Sequence, residues 1–336
     1  MSMRAFVLTR YGGAEAMELQ DVPQPLPGIG EVRIRVEAAG LNPVDSRIRD
    51  GDLRPLNRLR LPIIAGCEAA GTVDAVGPGP NRFAVGDNVY ARVDKKRLGA
   101  FAEYVCVRED LVAAMPASLD FAAAAGLPLA GLTALQALRD VLGVGPGTRL
   151  FISGGSGGVG TLAIQLAKHF GADVTTTASP AGLALVRRLG ADHVIDYTRE
   201  EFPALLSNFD AVLDLVGGET LKKSFGILRP GGKVVSIAGV PEPRTATVDL
   251  KAPPWITVVF ALMSLGIRRR ARNVKASYRY LFMHPSGDDL RVLAALVDGG
   301  QLQPVMDSSY PFARIGEAFA ALELGHAKGK IVVTIP

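Results

Sequence analysis

The sequence predicts an α/β protein, a doubly wound parallel sheet joined to a barrel-like β module. Three observations carry that expectation. The first third reads as many short strands punctuated by glycine and proline turns. From residue 150 onward, short apolar strands alternate with helical segments, the pattern of βα units in a parallel sheet. Where the two textures meet, the strand residues Leu150, Phe151 and Ile152 run into the turn Ser153-Gly154-Gly155-Ser156-Gly157-Gly158-Val159-Gly160 and then a helix. At 336 residues with 48% apolar content, the chain is long for one core and two domains are expected.

In chain order, strands are expected over 3–8 and over 31–37, where Glu31-Val32-Arg33-Ile34-Arg35-Val36-Glu37 alternates charged and apolar residues as a half-exposed strand does. Further strands fall at 71–76, 88–93 and 101–107, divided by the turns Gly77-Pro78-Gly79-Pro80 and Gly86-Asp87. Residues 121–126 are alanine-rich, and 129–142 have helical periodicity before a linker at 143–147. Then come strand 150–153, helix 159–170, strand 173–177, helix 181–189, strands 194–196 and 211–216, helix 219–228 and strand 234–238. The apolar run 255–267 is too short to span a bilayer. With Arg268, Arg269, Arg270, Arg272 and Lys275 behind it, it reads as a surface helix whose apolar side packs on its domain; peripheral contact with anionic lipid is the sharper reading. Strand 278–283, helix 288–297, strand 304–307, helix 315–324 and strand 330–335 finish the chain, and the last of these are expected to return to the first module.

Composition narrows the function. A net charge of +4, from 37 basic and 33 acidic residues, demands no nucleic-acid partner. Cys67 and Cys106 are too few for a disulfide framework, and no signal-peptide core follows Met1, so the cytoplasm is the expected compartment. The glycine turn is the strongest motif. A dinucleotide pyrophosphate needs backbone N–H groups brought close with no Cβ in the way, and a helix N-terminus aimed at it. Gly155, Gly157 and Gly160 have the G-x-G-x-x-G spacing, and Val159, Leu162, Ala163, Leu166 and Phe170 then recur at helical spacing up to Gly171. Ser156 among these glycines is no hydrolase signal, because no histidine and acid partner set accompanies it.

Ordered motifs along nearly the whole chain carry a family resemblance. They are Ala39-Gly40-Leu41-Asn42-Pro43-Val44-Asp45, Gly66-Cys67-Glu68-Ala69-Ala70-Gly71-Thr72-Val73, Gly86-Asp87-Asn88-Val89, the glycine turn, Leu189-Gly190-Ala191-Asp192-His193-Val194-Ile195-Asp196-Tyr197, Leu228-Arg229-Pro230-Gly231-Gly232-Lys233 and the stretch 325–333. The chain resembles the zinc-independent quinone oxidoreductases and enone (alkenal) reductases of the medium-chain dehydrogenase/reductase superfamily. The resemblance implies a Rossmann doubly wound parallel sheet, residues 124–283, inserted in a GroES-like β-barrel catalytic domain made of 1–123 and 284–336. Cofactor and substrate would meet in the cleft between the two, and the Rossmann edge strand at 278–283 would pair two copies into a homodimer.

The same resemblance sorts the metal question. Zinc-dependent relatives ligate catalytic zinc with a cysteine in the early turn and a histidine before a glutamate; here those positions are Asn42 and Cys67. One soft ligand makes no three-ligand site, so no metal is expected. His169, His193, His284 and His326 lie far from this constellation in sequence. Without a Lewis acid, reduction of a quinone or of an enone double bond is favoured over alcohol oxidation.

For the cofactor, NAD enzymes place Asp or Glu about 20 residues beyond the glycines. Thr175-Thr176-Thr177-Ala178-Ser179 has no carboxylate there, which favours NADPH, with NADH the alternative because Gly182 stands where many NADPH-dependent relatives have a lysine. The expected cofactor positions are Gly155, Ser156, Gly157, Gly158, Val159 and Gly160 in the turn, Thr177, Val216, Gly217, Ala238 and Gly239 at strand ends, and, as the resemblance implies, Ser179 as a hydroxyl contact to the phosphate. By resemblance, Tyr197 packs at the adenosine end, and Asn42, Thr133 and Lys330 approach the cofactor; an ordinary helix threonine and a solvated lysine are the competing accounts of the last two. The candidate catalytic residues are Asn42, Asp45, Ser46, Cys67 and Tyr280, with Asn42 to orient the substrate and water, Ser46 or Tyr280 to supply the proton. Two other classes stay open on the sequence: a zinc alcohol dehydrogenase, and a non-catalytic NADPH-binding regulatory protein that meets RNA or a membrane through 268–279.

Overall fold

The structure, a computed structural model, describes residues 1–54, 59–79 and 81–336; Pro80, the end of one expected turn, lies outside them. The chain divides into two compact units, Met1–Leu132 with Pro285–Pro336, and Thr133–His284.

In the first unit, strand β1 (Ser2–Leu8) pairs antiparallel with β2 (Met17–Pro23), and β3 (Glu31–Leu41) is the spine of a larger sheet. Val32, Ile34 and Val36 alternate inward from β3 and are fully buried, as the charged-apolar alternation predicts. β4 (Ile63–Ile64) borders β1, while β5 (Glu68–Val76), β6 (Asn88–Arg92), β7 (Tyr104–Arg108) and β8 (Val112–Ala114) complete the N-terminal strands. β2 has no alternation to find in sequence: it is a mostly exposed edge strand, charged and ending in Pro23, features that blunt a sheet edge. The strand expected over 101–107 begins only at Tyr104. Phe101 instead bridges two segments, its amide bonded to Ala65 O and its carbonyl to the Phe6 amide, both at 2.9 Å. The core is closed by edge-to-face pairs Phe6–Phe312 and Phe101–Phe319, centroids 5.0 and 6.0 Å apart.

The second unit is a six-stranded parallel sheet, β9 (Arg149–Ser153), β10 (Asp173–Ala178), β11 (His193–Asp196), β12 (Phe209–Asp214), β13 (Leu228–Ser236) and β14 (Ser277–Tyr280), in the order β11-β10-β9-β12-β13-β14. Strand order therefore reverses between β9 and β12, and ligands of such sheets sit at that switch, beyond the carboxyl ends. The helix expected over 219–228 stops at Ser224, because β13 begins at Leu228 and a single 3-10 turn, Phe225–Ile227, makes the connection. The helix expected over 129–142 is Pro128–Leu135 continued by a π-helical stretch Gln136–Leu142. The strand expected over 278–283 is the shorter β14, at the edge of the sheet.

The run 255–267 folds as two helices, Pro254–Met263 and Leu265–Asn273. Its expected packing is observed in part, since Ile267 is buried in the core of the second unit. Phe260 is buried, but Trp255, Val258, Val259, Leu262 and Met263 are exposed. The chain then returns to the first unit, where β15 (Met306–Pro311) runs parallel to β16 (Lys330–Thr334) and β16 pairs antiparallel with β3. Among the described residues, no helix is long and apolar enough to cross a membrane.

Candidate functional site

The three glycines of the G-x-G-x-x-G spacing are not equivalent. A Cβ on Gly155 would lie 2.2 Å from Thr176 Oγ1, and one on Gly160 would lie 2.4 Å from Gly154 O, so helix and strand approach only because both lack side chains. At Gly157 the nearest atom to an added Cβ is Gly154 O at 3.6 Å. Nothing within the protein requires glycine there; a Cβ would fill space above the turn. This is the division of labour in a dinucleotide-binding turn: tight turn, ligand approach, close helix packing. The helix Gly158–His169 begins behind Gly157, and its ladder opens with the Thr161 N–H donating to Gly157 O at 3.0 Å. The earlier amides of Gly158, Val159 and Gly160 are the ones a helix N-terminus offers an anion. These residues fit a pyrophosphate.

The strand ends around the turn are held by one carboxylate. Asp214, fully buried at the end of β12, accepts from Ser153 Oγ (3.0 Å), from Ser236 Oγ (2.6 Å) and from the Gly217 amide (3.0 and 3.1 Å). Ser153 Oγ in turn accepts from Leu215 N–H at 3.0 Å, and Ser236 Oγ from Ala238 N–H at 3.2 Å. The ends of β9, β12 and β13 thus share a single polar knot, and it sets where Val216, Gly217, Ala238 and Gly239 leave the sheet. Thr177, at the end of β10, accepts the Gly154 amide on Oγ1 at 3.0 Å, while Ser179 is half-buried and Tyr197 and Val216 are exposed. Ser156 is half-buried beside Gly182, where an added Cβ would come within 2.9 Å of Ser156 Cβ. A lysine at 182 would press on the turn, which is a packing reason for glycine there. Thr133 is buried on the helix Pro128–Leu135, and Tyr280 on β14 packs against the apolar core of this unit.

In the first unit, three distant segments meet in a buried polar cluster. Lys330 opens β16, Glu68 opens β5, and Asn42 caps the helix Pro43–Asp50 at the end of β3. Lys330 and Glu68 are 4% and 0% exposed, so the solvated-lysine account fails. The Lys330 ammonium donates to Leu41 O (3.0 Å), Glu68 Oε1 (2.8 Å) and Asn42 Oδ1; three donors meet three acceptors. Asn42 Nδ2 donates to Glu68 Oε1 at 2.7 Å, and the Leu129 amide to Glu68 Oε2 at 2.5 Å. Lys330 therefore holds the Asn42 turn directly, and Asn42 keeps one Nδ2 hydrogen beyond those bonds.

Asp45 and Cys67 extend the cluster. Asp45 Oδ2 accepts the Asn42 amide at 2.9 Å, while Oδ1 is buried without a hydrogen bond among the described residues. The Cys67 thiol lies against this carboxyl without the geometry of a bond to Oδ1. Burial pushes the Asp45 carboxyl up to about 6, against the pull of Cys67 and of Arg92. Burial, then the Asp45 charge, pushes the Cys67 thiol up, so this fully buried cysteine is held as a thiol. Arg92 closes the cluster, donating from Nη1 to Cys67 O (2.9 Å) and Val93 O (2.6 Å). A cavity of about 10 Å³, the room of about one water, adjoins Asp45 between Leu8, Met17, Ile48 and Phe319. Ser46 is not part of this group: its hydroxyl donates to Glu323 Oε1 at 2.9 Å, and Glu323 also takes Arg49 at 2.8 Å. Among the described residues no three His, Cys, Asp or Glu side chains come together to hold a metal ion.

Comparison with known proteins agrees with this architecture. The alcohol dehydrogenase GroES-like domain model matches residues 28–117, and the zinc-binding dehydrogenase model matches 189–333. The NADPH-dependent alkenal/one oxidoreductase of Arabidopsis thaliana chloroplasts is 37% identical over 98% of this chain and 79% of its own length. The chain belongs to the quinone oxidoreductase and enone reductase family of the medium-chain dehydrogenase/reductase superfamily. A second family member, the chloroplast envelope quinone oxidoreductase homolog of the same plant, is 34% identical over 98% of both chains. The solved quinone oxidoreductase of Coxiella burnetii superposes on all of this chain and all of its own with a TM-score of 0.86 at 31% identity. As a family member the chain is an oxidoreductase that uses a nicotinamide cofactor, built as a GroES-like domain with a Rossmann-like parallel sheet.

Sequence reasoning missed Glu68, Arg92 and Asp214. Glu68 lies inside a family motif, and Asp214 inside the strand expected over 211–216. A charged residue inside an apolar strand is the signal that would have found both. Arg92 had the same signature at the end of 88–93.

Proposed function

We propose that this oxidoreductase is an NADPH-dependent, zinc-free reductase of quinones or of the double bond of α,β-unsaturated carbonyls. The space above Gly157 carries the reading, because internal packing leaves that glycine unexplained and a pyrophosphate explains it. The names of the related alkenal/one and quinone oxidoreductases support the acceptor class. Bound NADPH would supply the hydride for the acceptor carbon or oxygen.

The chain's own residues supply the rest. The amides of the 155–160 turn bind the pyrophosphate, Asp214 fixes the strand ends beside it, and Ser179 and Tyr197 take the adenosine end. Support for NADPH over NADH is the end of β10, Ala178 followed by Ser179, where no carboxylate repels a 2′-phosphate. Asn42, held by Lys330 and Glu68, offers its remaining Nδ2 hydrogen to a carbonyl oxygen that gains charge. Ser46 gives its hydroxyl hydrogen to Glu323, and water or the Tyr280 hydroxyl supplies the proton. Support for zinc-free chemistry is the donor set, with Asn42 and Cys67 at the two ligand positions of zinc-dependent relatives. The two free cysteines fit a reducing cytoplasm, and the open edge of β14 fits a homodimer made by sheet pairing.

The test is NADPH oxidation with 1,4-benzoquinone and with a small enone, before and after chelator treatment. Turnover that survives chelation and prefers NADPH to NADH is expected. Inactivity across quinones, alkenals and ketones, or activity that follows stoichiometric zinc, overturns the proposal.

A further inference from the structure

The helices Pro254–Met263 and Leu265–Asn273 present a surface that the reductase chemistry does not use. Trp255, Val258, Val259 and Leu262 recur at the i, i+3, i+4, i+7 spacing of one helical face, with Met263 beside them. That face is exposed, Trp255 at 64% and Leu262 at 68%, while Phe260 on the opposite side is buried. A contiguous apolar ridge of this kind marks an interaction site in a soluble unit. The next helix carries Arg268, Arg269, Arg270 and Arg272, and Lys275 follows; Arg269, Arg270, Arg272 and Lys275 are exposed. No acidic residue occurs from 250 to 287. Two acids close to this helix pair are already paired, Glu242 with Arg279 at 3.3 Å and Glu219 with Lys222 at 2.6 Å.

We propose that this face docks the protein on an anionic lipid surface, with Trp255, Val258, Val259 and Leu262 in the interface and the arginines against the headgroups. Apolar ridge and basic flank together are what such a surface selects: the ridge gains by leaving water, and each cation gains from the negative surface potential. Charge decides against a second copy as occupant, since a two-fold contact through this patch sets its cations against themselves. An RNA would use the cations but leave the aliphatic ridge in water. The inference is independent of the reductase reading.

Trp255 is the single tryptophan of the chain, so its emission reports on this face alone. The full-length protein is mixed with vesicles of phosphatidylcholine, or of phosphatidylcholine with phosphatidylglycerol, and followed by Trp emission and cosedimentation at low and raised salt. Blue-shifted emission and sedimentation with anionic vesicles only, weakened by salt, are expected. The triple variant Arg268→Gln/Arg269→Gln/Arg270→Gln loses roughly a hundredfold in partitioning, from about 1 kcal/mol per cation. Leu262→Ser weakens it as well, and both variants keep wild-type turnover of water-soluble 1,4-benzoquinone. No partitioning at low salt overturns the proposal. So does a soluble dimer that Leu262→Ser dissociates, binding to an RNA homopolymer that Leu262→Ser leaves intact, or loss of benzoquinone turnover in the triple variant.

Discussion

Asp45→Asn should raise the stability of the protein at neutral pH and leave it unchanged in acid. The carboxyl is buried, one oxygen has no hydrogen bond, and burial raises it from an ordinary 3.8 to about 6. In the unfolded chain it ionises near its ordinary value. Between those two pH values the native state keeps a proton that the unfolded state has lost, so stability falls as pH rises through the window. Below it both states are neutral and nothing is lost; above about 6 the loss is complete. A shift of roughly two pKa units corresponds to about 3 kcal/mol. Asparagine cannot ionise, and its side-chain oxygen still accepts the Asn42 amide that Asp45 Oδ2 takes at 2.9 Å. Thermal melts of both proteins from about pH 4 to pH 7 read the difference, since other titrating groups cancel. The variant's midpoint should climb above wild type through the window and level off about 4 °C higher, from about 2.1 cal/mol/K of unfolding entropy per residue over 336 residues. A difference that does not change with pH would show that Asp45 titrates at its ordinary value, and the argument from burial would fail.

Three further outcomes follow from the same geometry. Glu68→Gln and Lys330→Met each leave a buried charge without its partner and should cost about 3–5 kcal/mol in urea unfolding, with the double variant costing clearly less than the sum; additive costs would mean that the pair is not coupled. Gly157→Ala should keep wild-type stability to within about 1 kcal/mol but lose roughly tenfold or more in NADPH affinity by titration, whereas Gly160→Ala, whose Cβ would sit 2.4 Å from Gly154 O, should lose both; an unchanged Gly157→Ala affinity removes the pyrophosphate from this turn. Asp214→Ala strips the acceptor from Ser153, Ser236 and Gly217 and should destabilise the protein by on the order of 3 kcal/mol in urea unfolding, with Asp214→Asn milder; equal loss in the two would deny the knot its role.

Much of the architecture was legible without coordinates because it is local. Gly160 is demanded by atoms of Gly154 and Gly155 in the same strand-turn-helix unit, Gly155 by Thr176 on the very next strand, and the alternation in β3 follows from the pleat of a single strand. Elements without a local pattern were invisible. β2 is charged and exposed, and β8 is three residues long, so neither carries a period to read. The end of the helix Gly218–Ser224 was misplaced because β13 captures Leu228 by pairing with β12, a contact no helix periodicity records.

By itself the sequence determined the two textures of the chain, the dinucleotide turn, the absence of a ribose carboxylate after β10 and the family motifs, all set by residues adjacent in the chain. The tertiary structure alone decided the state of its charges. Lys330 sits among Lys328, Gly329 and Ile331 and reads as a surface lysine, yet it is buried on Glu68, 262 positions earlier, and on Asn42. Asp214 reads as a residue inside one strand and is the hub of three. The run 255–267 reads as one that packs its apolar side, and it buries Phe260 and Ile267 but shows a second apolar face, Trp255, Val258, Val259 and Leu262, to solvent. Burial is a property of what the distant chain brings to a residue, and with it go the desolvation and the partners that decide whether a charge is costly, saturated or free to act.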